Sequence, residues 1–276
     1  ILSGLVGSEM CIRDRLYVKG NEDILNEMGI SVVGSRYCTY YGRQMSQEFS
    51  ARLSEMGFTI ISGMARGIDS QAHRGAISIN GKTIAVLGSG LDVIYPKENR
   101  TLYEEITKKG AVISEFPLGT QPFKQNFPQR NRIISGLGIG VLVVEAGVKS
   151  GSLITASLAL EQGKEVFAIP GNINNKTSKG TNKLIKDGAK IVTTLDDILE
   201  EYEMRNDLKE KIEDQRVKNL SKKLIKVLNY VNNEPTNINM IANASGIRMH
   251  ELIPMMNSLV LAGYIKELPG KFFVKI

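Results

Sequence analysis

Tryptophan is missing from the chain, and cysteine and histidine occur only twice each. Cys11 and Cys38 show no CxxC or other ligand spacing, so neither a disulfide framework nor a zinc site is supported, and a reducing cytosol is the expected location. No run of about 18 apolar residues is present, so no membrane span is expected. Ile1 to Arg15 lacks the basic n-region and small-residue cleavage site of a signal peptide. Met10-Cys-Ile-Arg-Asp-Arg15 reads instead like the translated end of a sequencing-library transposon (ATG TGT ATA AGA GAC). Residues 1–15 are therefore expected to be a non-native leader.

What is present is a 276-residue chain, 42% hydrophobic, long enough for one large core and a smaller module. Its net charge of +6 favours a polyanionic partner without deciding for one. Short β-branched runs recur at Ile30–Val33, Thr59–Ser62, Thr83–Leu87, Ala111–Ser114, Ile139–Val144, Glu165–Ile169 and Lys190–Thr193, roughly every 25 to 29 residues. Helix-period segments such as Gln44–Glu55, Ser70–Ile79 and Leu153–Gln162 lie between them. Continuous apolar strands at this repeat length are βα units, so residues 16–200 are expected to form one doubly wound parallel α/β domain. Residues 201–219 turn to mixed charge and read as a linker or solvated helix. Residues 220–276 read as three helices and a hairpin around Pro269-Gly270, a small winged helix-turn-helix.

Six loops follow strand ends and are polar and mostly glycine-rich: Gly34–Arg36, Gly63–Gly67, Gly88–Gly90, Glu115–Pro117, Gly147–Ser152 and Pro170–Asn172. In a parallel sheet they meet on one edge, where such folds bind ligands. The run from Phe127 to Thr155 anchors this reading. It passes from a basic-aromatic segment through the strand Ile139–Val144 into a Gly/Ser turn before a helix, a place where backbone N–H groups and the helix dipole attract phosphate. Backbone N–H groups at Gly34, Ser35 and Arg36 and at Gly147–Ser152 are expected to hold phosphates. Lys124, Arg130 and Arg132 add mobile positive charge, with Asn131 between the two arginines. Arg36 offers a guanidinium fork for a bidentate phosphate grip. Phe127 offers a ring for an unstacked base, the mixture that single-stranded nucleic acid requires.

Other patterns carry less. Gly88-x-Gly90 lacks the third glycine of a dinucleotide fingerprint, where Val93 stands. Ala76 to Thr83 fits a loose phosphate-loop pattern but follows a helix and opens a strand, the reverse of what that loop needs. Asp69 and His73 share a helix face at i, i+4, yet no nucleophile or third ligand accompanies them. No catalytic residue, metal or cofactor is assigned.

Val32-Val-Gly-Ser-Arg36, Ser62-Gly-Met-Ala-Arg-Gly-Ile-Asp-Ser-Gln-Ala-His73, Leu87-Gly-Ser-Gly-Leu-Asp-Val-Ile-Tyr-Pro96, Asn126-Phe-Pro-Gln-Arg-Asn-Arg-Ile-Ile-Ser135 and Ser150-Gly-Ser-Leu-Ile-Thr155 closely resemble the DprA/Smf family of bacterial DNA-processing proteins of natural transformation. The similarity runs from Leu16 to about Leu199. It implies an extended Rossmann domain that binds single-stranded DNA, forms a homodimer, protects incoming strands and loads the recombinase RecA. By the family's pattern, Arg36, Lys124, Phe127 and the Ser150-Gly151-Ser152 turn touch DNA, Phe127 stacks a base, and Lys97 after Tyr95-Pro96 joins them. No feature of the sequence locates the dimer interface.

Two rival readings stand beside this one. A similar Rossmann variant occurs in nucleoside-monophosphate phosphoribohydrolases, whose Pro-Gly-Gly-x-Gly-Thr-x-x-Glu loop supplies a catalytic carboxylate. The matching stretch here, Ala146 to Thr155, has Lys149 and reaches no glutamate downstream until Glu161. The other rival makes the winged helix a duplex reader, but its recognition helix, Arg248 to Ser258, carries few cations and a Glu251 that would face phosphate.

Overall fold

The computed structural model describes residues 15–203, 222–232, 235–261 and 264–275. The expected leader, except Arg15, residues 204–219 of the charged segment, and residues 220–221, 233–234, 262–263 and 276 of the expected winged module lie outside them. The chain divides into two compact units, Ile1–Lys209 and Glu210–Ile276.

The large unit is built on an eight-stranded sheet: β1 (Tyr17–Gly20), β2 (Gly29–Val33), β3 (Thr59–Ser62), β4 (Thr83–Val86), β5 (Ala111–Ser114), β6 (Gly140–Val143), β7 (Glu165–Ala168) and β8 (Lys190–Ile191), in the order β1-β5-β4-β3-β2-β6-β7-β8. Every pairing is parallel except that of β1 with β5. The chain runs outward from β2 to β5, crosses back to β6 against β2, and runs outward again to β8. Strand order therefore reverses between β2 and β6, whose register pairs Ile30 with Gly140 and Val33 with Val143. The expected parallel sheet is thus mostly parallel, with an antiparallel edge strand. That strand, Tyr17-Val-Lys-Gly20, is only partly buried and carries no continuous apolar run by which the sequence could reveal it. Gly20, at φ 115°, ends that strand close to Gly110.

The central strands are buried at every position, and successive side chains, pointing to opposite faces, enter different clusters. Ile84 and Val86 join a cluster with Val33, Ile61, Val141 and Val143, while Ala85 and Leu87 pack with Leu102, Tyr103 and Ile106 on the other face. Hydroxyls inside the strands are satisfied on neighbouring backbone, as in Ser62 Oγ to Val32 O at 2.6 Å and Ser31 Oγ to Ile134 O at 2.6 Å. Helices α1 (Tyr40–Glu55), α2 (Ile68–Ser78), α3 (Arg100–Lys109), α4 (Asn126–Leu137), α5 (Gly151–Glu161), α6 (Lys179–Lys186) and α7 (Asp196–Glu203) connect or flank the strands.

One element departs from the sequence reading in a way that matters for the site. The basic-aromatic segment, which the sequence reading assigns to no element, runs from Lys124 into the first half of α4, with Pro128 tolerated in the opening turn. Its buried face carries Arg130, Asn131, Ile133 and Ile134.

The small unit contains α8 (Lys222–Leu228), β9 (Thr236–Asn237), α9 (Ile238–Ser245), α10 (Met249–Leu261), β10 (Ile265–Leu268) and β11 (Phe272–Lys275), with sheet order β10-β11-β9. Val227, Ile241, Leu252, Met256, Leu259 and Phe273 form its core. Asn237 caps α9 by accepting the Asn239 N–H, and Gly246 ends it in the left-handed region at φ 69°.

Candidate nucleic-acid interface

The β2-to-α1 loop leaves the centre of the sheet, yet it is not the open backbone cradle that its glycine and serine suggest. Ser35 gives its N–H to Glu145 O at 2.7 Å, and Tyr37 gives its N–H to Ser35 Oγ at 3.2 Å. Thr39 gives its N–H to Glu145 Oε2 at 2.9 Å, and Gly42 gives its N–H to Thr39 Oγ1 at 3.1 Å. Ile68 N–H binds Ser35 O at 3.2 Å, made possible by Gly67 at φ 76°, where any Cβ would run into that same carbonyl. Of the donors in this loop expected to hold phosphate, the Ser35 N–H is thereby committed within the protein. What the loop projects outward is side chains, Arg36 and a Tyr37 that is 81% exposed.

Arg36 meets Phe127. The guanidinium carbon lies 5.0 Å from the ring centroid, and Tyr95 approaches the same ring at 5.8 Å between centroids with a 45° tilt. Gly88 presses its backbone against the ring edge. Phe127 is consequently half-buried, fixed from three sides, and placed among two exposed polar-tipped residues where the carboxyl ends of β2 and β4 meet the start of α4. Lys97, at the start of a short 3-10 turn, and Lys124, just before α4, are both exposed. Phe123 beside Lys124 is 57% exposed.

Arg130 corrects the expectation of mobile charge. It is buried, donates to Gly63 O at 2.8 Å and to Val86 O, and contacts Asn131 Oδ1 at 3.3 Å. The guanidinium lies 5.8 Å from the Phe127 centroid. It ties the carboxyl ends of β3 and β4 to α4. Burial pulls its pKa down to about 10, against the favourable pull of Asp69. A Cβ on Gly63 would meet both Arg130 and Asp69, so the two charges face each other across that glycine. Burial lifts the Asp69 carboxyl above its ordinary range, opposed by Arg130 and by the N–H groups of Ala65 and Gly63. His73 is held by Thr83 Oγ1 at 2.6 Å rather than by Asp69, and burial followed by the charge of Arg130 lowers its pKa to about 3. A neutral, enclosed imidazole of this kind ties α2 to β4.

Asn131 and Arg132 are likewise tethered. Asn131 Nδ2 donates to Gly151 O at 3.3 Å, joining α4 to the opening of α5, and Arg132 pairs with Glu115. Ser150 caps α5 from its own hydroxyl, which also meets Ser152 Oγ at 2.8 Å. Gly151 is exposed and Ser152 buried.

Sequence reasoning gave no role to Glu145, Tyr95 or Asn126. Asn126 clasps Gly88 O at 3.0 Å and Gln121 O at 3.2 Å, fixing the loop before α4. Glu145 ends the apolar run Val141–Val144, and a carboxylate closing a buried strand was the available signal. Among the described residues no group of three His, Cys, Asp or Glu side chains could hold a metal, and no helix is long and apolar enough to cross a membrane.

The strand order and this edge define an extended Rossmann-type protein with a cation- and ring-lined surface flanking its topological switch point. The family model for DNA recombination-mediator protein A matches residues 13–203. Protein Smf of Escherichia coli K12 is 41% identical over 263 residues, covering 93% of this chain and 70% of that protein. DNA processing protein DprA of Streptococcus pneumoniae is 49% identical over 188 residues, 68% of this chain and 66% of that one. Among solved structures, DprA of S. pneumoniae superposes with a TM-score of 0.65 at 49% identity over 67% of this chain and 65% of that one. Helicobacter pylori DprA, described for its single-stranded DNA binding mode, gives 0.64 at 30% identity over 69% and 87%. The chain belongs to the DNA recombination-mediator protein A family, which includes the proteins named Smf and DprA.

Proposed function

We propose that this protein binds single-stranded DNA along the carboxyl edge of β2 to β5 without chemical turnover, in the DNA-processing step of natural transformation. The observation that carries the reading is the Arg36–Phe127–Tyr95 cluster, a fixed ring with an exposed cation against it, flanked by Lys97 and Lys124. An unstacked base finds a π-face there, and the cations serve the backbone. Phosphate contacts position without specifying, so base preference is slight, and affinity falls with salt as counterions are released.

Arg36, Lys97, Lys124 and Phe127 are the DNA-facing set, with Gly151 in the Ser150–Ser152 turn beyond them. Arg130, Asn131 and Arg132 serve as the frame behind it. Gly34 and Ser35 shape the loop that presents Arg36. In this reading the chain acts as a cytoplasmic homodimer that protects incoming strands and hands them to RecA, roles that rest on the family resemblance. The small unit supplies an auxiliary winged-helix module.

The rival phosphoribohydrolase reading needs an accessible carboxylate in the crevice, and Glu145 is 2% exposed and engaged with Thr39. The test is fluorescence binding of labelled oligo-dT and the matching duplex across a salt series, beside an assay for free base released from AMP. Single strands should bind more tightly, with no base released. Equal binding of duplex, or base release, overturns the proposal.

A further inference from the structure

In doubly wound domains the phosphate of a bound nucleotide sits on the first turn of a helix that follows a central strand, beside the point where strand order reverses. Here that place is the start of α1, between the ends of β2 and β6. It holds a side chain of the protein itself. Glu145 follows β6, is 2% exposed, and lays its carboxylate on the α1 opening. Oε2 accepts the Thr39 N–H at 2.9 Å, and Oε1 accepts the Thr39 hydroxyl at 2.6 Å and the Thr177 hydroxyl at 3.5 Å. Gly42, one turn into α1, has no room for a Cβ because the carboxylate fills that space.

We propose that Glu145 is a built-in anion that occupies the phosphate position of the switch-point crevice and so makes this protein reject free nucleotides. Its donors are a backbone N–H and two hydroxyls, the same neutral set that would hold a phosphate oxygen. An incoming phosphate would meet both a filled volume and a like charge in a partly desolvated site, where repulsion is weakly screened. Phosphate recognition is thereby displaced to the exposed side chains Arg36, Lys97 and Lys124. Lone side chains outside a crevice suit a polymer that bridges several of them better than a mononucleotide that reaches one. This last consequence rests on the single-strand reading, whereas the occupancy by Glu145 does not.

The experiment compares the full chain with its Glu145→Ala and Glu145→Ser variants, the second guarding against a fold that fails to tolerate the emptied space. Inorganic phosphate and AMP are titrated at constant ionic strength, with chloride as control. Chemical shifts of the Thr39 and Gly42 amides and the thermal midpoint are read. At least one folded variant should bind phosphate roughly tenfold or more tightly than wild type, a difference of about 1.4 kcal/mol, with both amides moving. Wild type should stay unmoved, and AMP should not displace labelled oligo-dT from it. Saturable shifts of Thr39 and Gly42 in wild type, or folded variants that ignore phosphate, overturn the inference. Failure of oligo-dT to bind at all strikes the single-strand proposal instead and leaves the phosphate arm to decide on Glu145.

Discussion

Ionisable residues of the large unit fall into two layers that differ in composition and in employment. The outer one, Arg36, Lys97 and Lys124, faces solvent beside Phe127 and Tyr95. The inner one, Asp69, His73, Arg130 and Glu145, is buried and spends its hydrogen bonds on strand ends, loops and helix starts. Lys124 and Arg130 lie six residues apart and carry the same sign, yet one is free to meet a ligand and the other is part of the scaffold. Charge in a motif therefore predicts a contact only after the phase of the element carrying it is known.

Substitutions should separate the two layers. Replacing Arg130 by Met has the largest expected effect. It leaves Asp69 buried opposite an apolar chain and strips Gly63 O and Val86 O of their donor, a loss of about 3–5 kcal/mol in urea unfolding at neutral pH. Adding Asp69→Asn should recover part of it, and full additivity of the two changes would show that the charges are uncoupled.

His73 gives the inner layer a pH signature. Its folded value of about 3 lies below the ordinary 6.5. The unfolded chain thus takes up a proton that the folded chain refuses, and stability present above pH 6.5 is lost as pH falls toward 3. The slope approaches about 1.4 kcal/mol per pH unit inside that window. Asp69, shifted upward, works in the opposite sense, so the diagnostic quantity is the difference between wild type and His73→Gln. The variant should show the flatter acid limb.

In the outer layer, Phe127→Ala should weaken oligo-dT binding by about 1–3 kcal/mol with the salt slope unchanged, because stacking releases no counterion. Arg36→Ala should give the smallest change in stability and lower the salt slope by about 1. A variant of the outer layer that unfolds the protein, or an Arg130 variant that is stable but loses DNA, would erase the distinction between the layers.

Much of this architecture is legible in the sequence. The seven parallel strands announce themselves as apolar runs because both faces of the sheet are covered, and the glycine-rich loops fall on one edge because the strands run the same way. The motif residues Arg36 and Phe127, quoted from separate stretches, prove to be neighbours. The sequence hides what depends on helix phase. Lys124 to Arg132 shows no helical period because Pro128 and polar residues crowd it, and only the start of α4 at Asn126 turns Arg130 inward. It also hides what depends on three-dimensional closure. Ser35 looks like a phosphate donor until Glu145 O, distant in sequence, takes its N–H. Glu145 itself stands outside the glycines that draw attention to the turn after it.

The loop that delivers Lys124 is held at several points. Asp92 accepts the Gly119 N–H through both carboxylate oxygens, at 2.8 and 2.9 Å, Gly90 donates to Thr120 O at 3.0 Å, and Asn126 closes the far end. In the proposed reading, a strand arriving at this edge meets a loop already held in place by its own hydrogen bonds. Little conformational entropy remains to be surrendered on association. Differences among ligands should accordingly register in how long each complex survives rather than in how fast it forms.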